Sequence, residues 1–224
     1  MAYVLGFWYA DGSVEYSPQI RGHYIRVGST DKEVVSYIKL VLKSEHKINV
    51  PPRPGRKIFY LLRIGSSQMF HDLHQLGVVE RKSNIIVFPR VPKEFLSDFI
   101  RGYFDGDGCV SIEKSKSGSY QRLVTVFTSG SKQFLLQLQS ILMEQAYLSL
   151  TKIAIVRNKN NSTAYQLRYS TRDSLRLFFF IYPRRRVSFC LSRKYAIFMD
   201  YLKSKGITEQ NYKKIISAKG PIVI

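Results

Sequence analysis

Two aspartates, Asp11 and Asp107, close two short segments that are nearly copies of one another. Residues 4–12 read VLGFWYADG and residues 100–108 read IRGYFDGDG, so each segment is an apolar run with glycine at its third place and an aspartate-glycine pair at its end. The matching aspartates are 96 residues apart, which indicates two copies of one unit. Paired carboxylates in a strongly basic chain are typical of metal ligands that act on a nucleic acid.

The two carboxylates can share a metal only if the segments bring them close together. If each segment is a helix, Gly6 and Gly102 allow the two backbones to pack in contact, and both carboxylates then lie at the same end. They repel each other there, each beside the negative end of a helix dipole, so a bound Mg²⁺ would relieve the conflict. The carbonyl groups of Ala10 and Gly106 are expected as further ligands. A metal held in this way supports phosphodiester hydrolysis.

The glycines that follow the two aspartates, Gly12 and Gly108, are predicted to adopt the left-handed conformation that often ends a helix. A single aspartate-glycine pair is usually no more than such a helix end at the surface. Here the pair is duplicated, and a glycine-bearing apolar run precedes it in both copies. The duplication therefore favours a functional site.

The elements that position these aspartates also recur in the same order. Each copy continues with strand, amphipathic helix, further strands and a second helix, and so predicts an α+β unit. Two such units of under 100 residues are expected to pack as a pseudo-dimer. The predicted strands include residues 24–27, 60–63, 123–127 and 165–168, and the buried helix stripes are residues 34, 35, 38, 41 and 42, and residues 134, 135, 138, 141 and 142.

Local signals set the ends of these elements. Thr30 and Glu33 predict a capping box, and the next helix is predicted to begin at Ser66 and to stop at Gly77. The predicted organisation is an N-terminal unit (1–84), a proline-containing linker (85–96), a C-terminal unit (97–203) and a helical tail (204–224).

The net charge of +19 favours a polyanion as partner. Residues 97–224 carry +13 of that charge and residues 1–96 carry +6. The basic residues are spread over many elements and there is no membrane-spanning apolar run, which argues against a membrane partner. Cys109 and Cys190 make no disulfide framework, so we expect a reducing, intracellular location such as the cytoplasm, a nucleoid or an organelle matrix.

The two segments resemble the LAGLIDADG motif of homing endonucleases, in the dodecapeptide form that carries two motifs in one chain. The resemblance covers almost the whole chain and rests on Leu5-Gly6, Ala10-Asp11-Gly12, Gly102 and Asp107-Gly108. It implies two pseudo-twofold related αββαββα-like units in a monomer, with antiparallel sheets that form a DNA-binding saddle. It also implies Mg²⁺-dependent cleavage of a long, asymmetric double-stranded DNA site, leaving short 3′ overhangs.

By this resemblance, Asp11 and Asp107 bind two or three divalent ions at the domain interface, where Mn²⁺ can substitute for Mg²⁺. Lys82 and Lys194, which belong to Arg-Lys pairs late in each copy, are the implied supporting bases or electrostatic stabilisers. The chain departs from the pattern at Tyr9, where the second copy has Asp105. We therefore interpret Asp105 as a supporting or packing residue.

DNA contacts are expected from the outward faces of the strands and the loops beside them, with Arg and Gln reading base edges and Lys meeting phosphates. A run of three arginines is predicted to clamp phosphates without reading sequence. The candidates are Arg21, His23, Tyr24, Arg26, Arg53, Arg56, Lys57 and Arg63 in the first unit, Glu113, Lys114, Lys116, Tyr120, Arg122, Arg157, Lys159, Gln166 and Arg168 in the second, and the run Arg184, Arg185 and Arg186.

Other functions stay open at this point. A DNA-binding regulator of the same fold would not cleave, and a maturase would bind its host intron RNA. A ribosomal-type basic protein explains the charge but not the paired acids. No splicing nucleophile begins the chain and no His-Asn pair ends it, so we do not expect a complete intein, and the endonuclease part of an intein stays open as an alternative.

Overall fold

A computed structural model describes residues 1–17, 22–79, 84–114, 121–157, 163–183, 187–208 and 210–212. Within these ranges, no helix combines the length and the apolar character that a membrane crossing requires. The predicted contacts Arg21, Lys116, Tyr120, Lys159, Arg184, Arg185 and Arg186, and the predicted supporting base Lys82, lie outside the described residues.

The first half of the chain forms one α+β unit in the predicted order. Its elements are α1 (Ala2–Asp11), β1 (Gly12–Ser17), β2 (Gly22–Ser29), α2 (Lys32–Val41), β3 (Ile48–Asn49), β4 (Tyr60–Gly65) and α3 (Ser67–Gln75). The strands form an antiparallel sheet in the order β1-β2-β4-β3.

The second half repeats this order and adds one helix. Its elements are α4 (Leu96–Asp107), β5 (Gly108–Lys114), β6 (Gln121–Ser129), α5 (Lys132–Ala146), β7 (Ala154–Arg157), β8 (Thr163–Tyr169), α6 (Thr171–Ile181) and α7 (Ser192–Ser204). The sheet order β5-β6-β8-β7 matches that of the first half, and all pairs are antiparallel. The predicted α+β class with two repeated units is confirmed.

Helices α1 and α4 join the two halves through their backbones. A Cβ atom on Gly6 would lie 1.9 Å from the carbonyl oxygen of Phe99, and one on Gly102 would lie 2.0 Å from that of Tyr3. Residues 3–7 thus lie beside residues 99–103, and nearer the helix ends a Cβ on Gly106 would lie 2.3 Å from the Cβ of Ala10. The contacts follow the same order along both helices, so the helices run parallel and both end at the same place. The close approach predicted for Gly6 and Gly102 is confirmed.

The glycines at the helix ends have a different role from the one predicted. Gly12 and Gly108 have φ near −87° and −88°, so they are extended residues that begin β1 and β5, and the predicted left-handed conformation is wrong. A Cβ on Gly12 would lie 2.1 Å from the Trp8 ring, and one on Gly108 would lie 2.3 Å from the Phe104 ring. Glycine is required because the aromatic side chain one turn earlier folds over the strand entry.

The ends of α2 and α3 test the local signals. Ser66 caps α3 by accepting a hydrogen bond from the Met69 amide, and Gly77 follows the helix with φ of +87°, as predicted. The capping box of Thr30 and Glu33 is wrong, because Asp31 is the N-cap of α2 and its side chain makes no capping hydrogen bond. The acidic side chains at this end of α2 contact α7 instead.

A cross-half clamp, formed by α2 and residues 187–193, ties the extra helix α7 to the first unit. The guanidinium group of Arg193 donates to both carboxylate oxygens of Asp31, with its Nη2 2.9 Å from Oδ2, and Glu33 accepts from the amide and hydroxyl groups of Ser192. The Tyr37 ring stacks on Phe189 with a centroid distance of 4.3 Å. The two halves are thus joined at α1 and α4 and again at this clamp.

Candidate functional site

The two motif aspartates are the last residues of the paired helices, and both are exposed. The carboxylate oxygen Oδ2 of Asp11 lies only 3.2 Å from the position that a Cβ on Gly106 would take. Burial, with the negative charges of Asp107 and Asp11, raises the pKa of Tyr103 well above its usual value. Both carboxylates therefore lie at one end of the helix pair, where the missing side chain of Gly106 leaves space beside Asp11.

This donor set fits a hard divalent cation. Two exposed carboxylates from different helices offer oxygen ligands and leave the remaining positions for water or phosphate, as Mg²⁺ prefers. Among the described residues there is no cluster of three or more His, Cys, Asp or Glu side chains that would hold a metal by itself. A cation at this end would therefore be held by the two aspartate carboxylates together with ligands that are not side chains, such as water or phosphate.

Lys194 of α7 lies behind this end and is only 3% exposed. Its ammonium nitrogen lies within hydrogen-bonding distance of the carbonyl oxygens of Phe104 (2.6 Å), Asp105 (2.8 Å), Gly106 (3.4 Å) and Gly108 (2.5 Å), which share its three N–H groups. The carbonyl groups of Phe104, Asp105 and Gly106 belong to the last turn of α4, where the negative end of the helix favours a cation, and the Phe104 carbonyl also accepts from the Gly108 amide. Burial lowers the pKa of Lys194 to about 8, against the opposing charges of Asp105 and Asp11.

Asp105 is buried inside the interface of the two halves and does not reach the exposed end. Its Oδ2 accepts hydrogen bonds from the Tyr3 hydroxyl (2.8 Å) and the Leu191 amide (2.9 Å), and burial raises its pKa. The residue at the equivalent place in the first half, Tyr9, is also buried and donates to the Leu76 carbonyl group. Asp105 thus connects α1 with the segment that leads into α7.

Each sheet has one face covered by helices and one face open. In the first sheet the side chains of Val14, Ile25, Val27 and Leu62 are buried under the helices. The alternate residues of β1, β2 and β4 share the open face, and by the same alternation the second sheet has an open face on β5, β6 and β8. The predicted contacts on the open faces are Tyr24, Arg26, Arg63, Glu113, Arg122, Gln166 and Arg168.

Three predicted contacts are placed differently. The ring of His23 lies 4.5 Å from that of Phe70, and its Nδ1 is 3.2 Å from the Ser67 hydroxyl, so His23 packs on the helix side of the sheet. Lys114 lies opposite Gln121 and Arg157 lies opposite Thr163. These partners alternate with the open-face residues of β6 and β8, so Lys114 and Arg157 are on the helix side. The expectation that all strand candidates point outward is wrong for these residues, because side chains alternate between the two faces.

The loop before β4 contributes a separate basic group. Arg53, Arg56 and Lys57 are exposed in it. The guanidinium group of Arg53 lies 3.7 Å from the centre of the Phe59 ring, which orders it at the surface.

The sequence alone did not reveal several residues that build the site. Glu15 on β1 was not assigned, although it alternates with the buried Val14 and therefore lies on the open face. Tyr3, Asp31 and Glu33 were also missed as partners of the second half. Their contacts are 102 or more residues away in sequence, so no local pattern indicates them.

The fold and the site define a class of protein: two duplicated α+β units, joined by parallel helices that each present an aspartate at the shared end. A model of the LAGLIDADG-like domain matches residues 1–76 and 94–181. The chain belongs to the LAGLIDADG-like domain family.

Known proteins agree with this assignment. The chain is similar to the I-LtrWI LAGLIDADG homing endonuclease bound to target DNA, with a TM-score of 0.54 at 14% identity over 99% of this chain and 97% of that one. It is similar to I-SmaMI bound to uncleaved DNA in the presence of calcium ions, with a TM-score of 0.56 at 16% identity over 99% and 98%. At these identities the likeness shows the fold. Reverse gyrase of Methanocaldococcus jannaschii is 29% identical over 58% of this chain, which spans only 8% of that protein.

Proposed function

We propose that this chain is a site-specific, divalent-metal-dependent DNA endonuclease of the homing type. It acts as a monomer on a long, asymmetric double-stranded site and leaves short 3′ overhangs. The observation that carries the proposal is the placement of Asp11 and Asp107, which lie at one shared end of the α1–α4 pair while the adjoining strands β1 and β5 lead into two arginine-bearing sheet faces.

Asp11 and Asp107 would hold Mg²⁺, or Mn²⁺ in its place, between the two halves, with the Ala10 and Gly106 carbonyl groups as further ligands. A metal bound there supplies an activated water and neutralises charge at the scissile phosphate. The chain's own contribution is geometry: the glycine contacts set the separation of the two helices, and Lys194 satisfies the carbonyl groups around Asp107. In this proposal Lys194 is a positioning residue and Lys82 is the supporting base.

Double-stranded DNA suits the rest of the surface. The net charge of +19 favours a polyanion, and the Arg and Gln side chains on the open faces match guanine and adenine edges. The loop residues Arg53, Arg56 and Lys57 and the arginine run 184–186 would bind phosphates. The protein would act where its DNA is, inside the cell.

The test is cleavage of a randomised duplex library with Mg²⁺ and with Ca²⁺, using the unchanged protein and the variants Asp11→Asn and Asp107→Asn. We expect discrete double-strand ends with 3′ overhangs, lost in Ca²⁺ and reduced by at least about 10³-fold in each variant, because a metal ligand is removed. Asp200→Asn, which removes an exposed carboxylate at the end of α7, is the matched control and should cleave normally.

Two results would replace the proposal. Capture of one DNA sequence without cleavage under any metal would make the chain a DNA-binding regulator. Preferential binding of structured intron RNA, with assistance to splicing, would make it a maturase.

A further inference from the structure

Each open sheet face contains a glutamate set among arginines. In the first sheet, Glu15 on β1 accepts hydrogen bonds from Arg26 on β2 (3.1 Å) and from Arg63 on β4 (3.2 Å), one at each carboxylate oxygen. The guanidinium group of Arg63 also lies 3.5 Å from the centre of the Tyr24 ring. One carboxylate therefore holds two arginines of neighbouring strands in fixed positions.

The second sheet has a related arrangement, in which the glutamate pairs with one arginine and lies opposite another. Both oxygens of Glu113 on β5 accept from Nη2 of Arg168 on β8, at 2.6 and 2.7 Å, and Arg122 on β6 lies directly opposite Glu113. Glu15 is the third residue after Gly12, whereas Glu113 is the fifth after Gly108. The two glutamates are therefore not copies of one position, and each half has its own version.

These ion pairs contribute little to stability. Their side chains are between 34% and 53% exposed, and pairs so accessible to water are worth little in folding free energy. Each glutamate also weakens the attraction of its face for phosphate. A carboxylate among the arginines of a DNA-binding face therefore lowers the affinity for DNA. Neither stability nor affinity explains its presence there.

We propose that Glu15 and Glu113 are specificity-determining residues, one for each half of the DNA site. The inference rests on the proposed function. Each carboxylate keeps the arginines that it pairs with in the plane of the sheet face, away from phosphates, and leaves their accessible N–H groups for base edges. The carboxylate can itself accept from the cytosine N4 amino group while an arginine donates to guanine O6 and N7, so the pair fits a G·C base pair.

The first test measures binding without cleavage. A random-sequence duplex is titrated in Ca²⁺ at rising salt with the unchanged protein, Glu15→Gln and Glu113→Gln. Release of the arginines should tighten binding to this duplex by about tenfold at low salt and steepen the salt dependence by about one unit. Glu144→Gln is the matched control: it makes the same charge change on the exposed side of α5, and its effect should be much smaller.

The second test measures sequence preference. The protein is bound to a randomised library, and the retained duplexes are sequenced. Glu15→Gln should lose preference by about 5- to 100-fold at a few base pairs in one half of the site, and Glu113→Gln should do so in the other half. Arg63→Gln should weaken binding to the duplex, whereas Glu15→Gln should strengthen it. Because a damaged fold would weaken binding, it could not produce the increase expected for Glu15→Gln.

The outcomes separate the two proposals. If Glu15→Gln and Glu144→Gln strengthen binding equally, or if Glu15→Gln keeps the full sequence preference, the glutamates are not specificity-determining and this inference is wrong. If the unchanged protein enriches no sequence at all, the proposed function itself is wrong.

Discussion

Lys194 illustrates how one side chain can hold the end of a helix. A lysine in an Arg-Lys pair suggests a solvent-facing catalytic group, yet its ammonium group is enclosed by four carbonyl oxygens of residues 104–108. The ammonium charge thus offsets the negative end of the helix that carries Asp107.

We expect Lys194→Met to lower the free energy of unfolding by about 2–4 kcal/mol, because the carbonyl groups lose their buried donor. Denaturant unfolding of the full chain measures this change. Lys203→Met is the control: it makes the same change at an exposed position of α7 and should stay within about 0.5 kcal/mol. An unchanged unfolding midpoint for Lys194→Met would mean that the carbonyl groups find other partners.

At the residue scale, the sequence predicted which side chains belong to the site but not what surrounds each of them in the fold. The aspartates and the contact glycines were found because the motif is duplicated. The burial of Lys194 was not found, since it depends on α7 packing across α4. The predicted left-handed conformation of Gly12 is wrong because glycine is needed there for a different reason. The Trp8 ring leaves no space for a side chain at this position, and this does not require a positive φ.

At the element scale, the α1–α4 pair is the structural centre of the molecule. Its separation is set by backbone atoms at Gly6 and Gly102, and so it tolerates no added atoms. Since the two aspartates are the last residues of these helices, any increase in the separation of the helices moves the two carboxylates apart.

We expect Gly102→Ala to destabilise the protein by about 3 kcal/mol, because its Cβ would lie 2.0 Å from the Tyr3 carbonyl oxygen and a backbone must shift. Cleavage should fall with it, as the metal ligands separate. Thermal unfolding and the cleavage rate of the same preparation test both. Gly206→Ala, where φ is +59° and no atom lies near the new Cβ, should cost only about 1 kcal/mol and leave cleavage unchanged.

Most elements were predictable, and the exceptions have a physical reason. The helices α2 and α5 and the strands β2, β4, β6 and β8 show clear periodicity because one face of each is buried. Helix α1 has no such pattern, since it is buried on all sides between the halves, and only its resemblance to α4 indicated it. His23 was misplaced because the alternation of β2 was not carried through that strand.

At the scale of the whole molecule, the charge is unequal between the halves, with +13 on residues 97–224 and +6 on residues 1–96. The sheets and their order are the same in both. The two halves therefore share one fold but differ in charge. This difference should appear in how strongly each half binds its half of a DNA site.

We expect the C-terminal half to hold its half-site at higher salt than the N-terminal half, because it neutralises more phosphates. Footprinting in Ca²⁺ at rising salt should show protection lost first over the half-site of the N-terminal unit. Glu113→Gln and Glu15→Gln identify which half-site belongs to which unit. Loss of both footprints at the same salt concentration would contradict the prediction.

The pairing of α1 with α4 also has a consequence for biosynthesis. Helix α1 is made before its partner α4, and its residues Tyr3, Val4, Phe7, Trp8 and Tyr9 are buried in the finished protein. Its partner is translated 96 residues later, which at ordinary ribosome speeds is roughly 5–20 s. During that interval the face of α1 that packs on α4 has no partner. Newly made chains would therefore depend on chaperones until the second half emerges, and slow codons between the halves would lengthen that dependence.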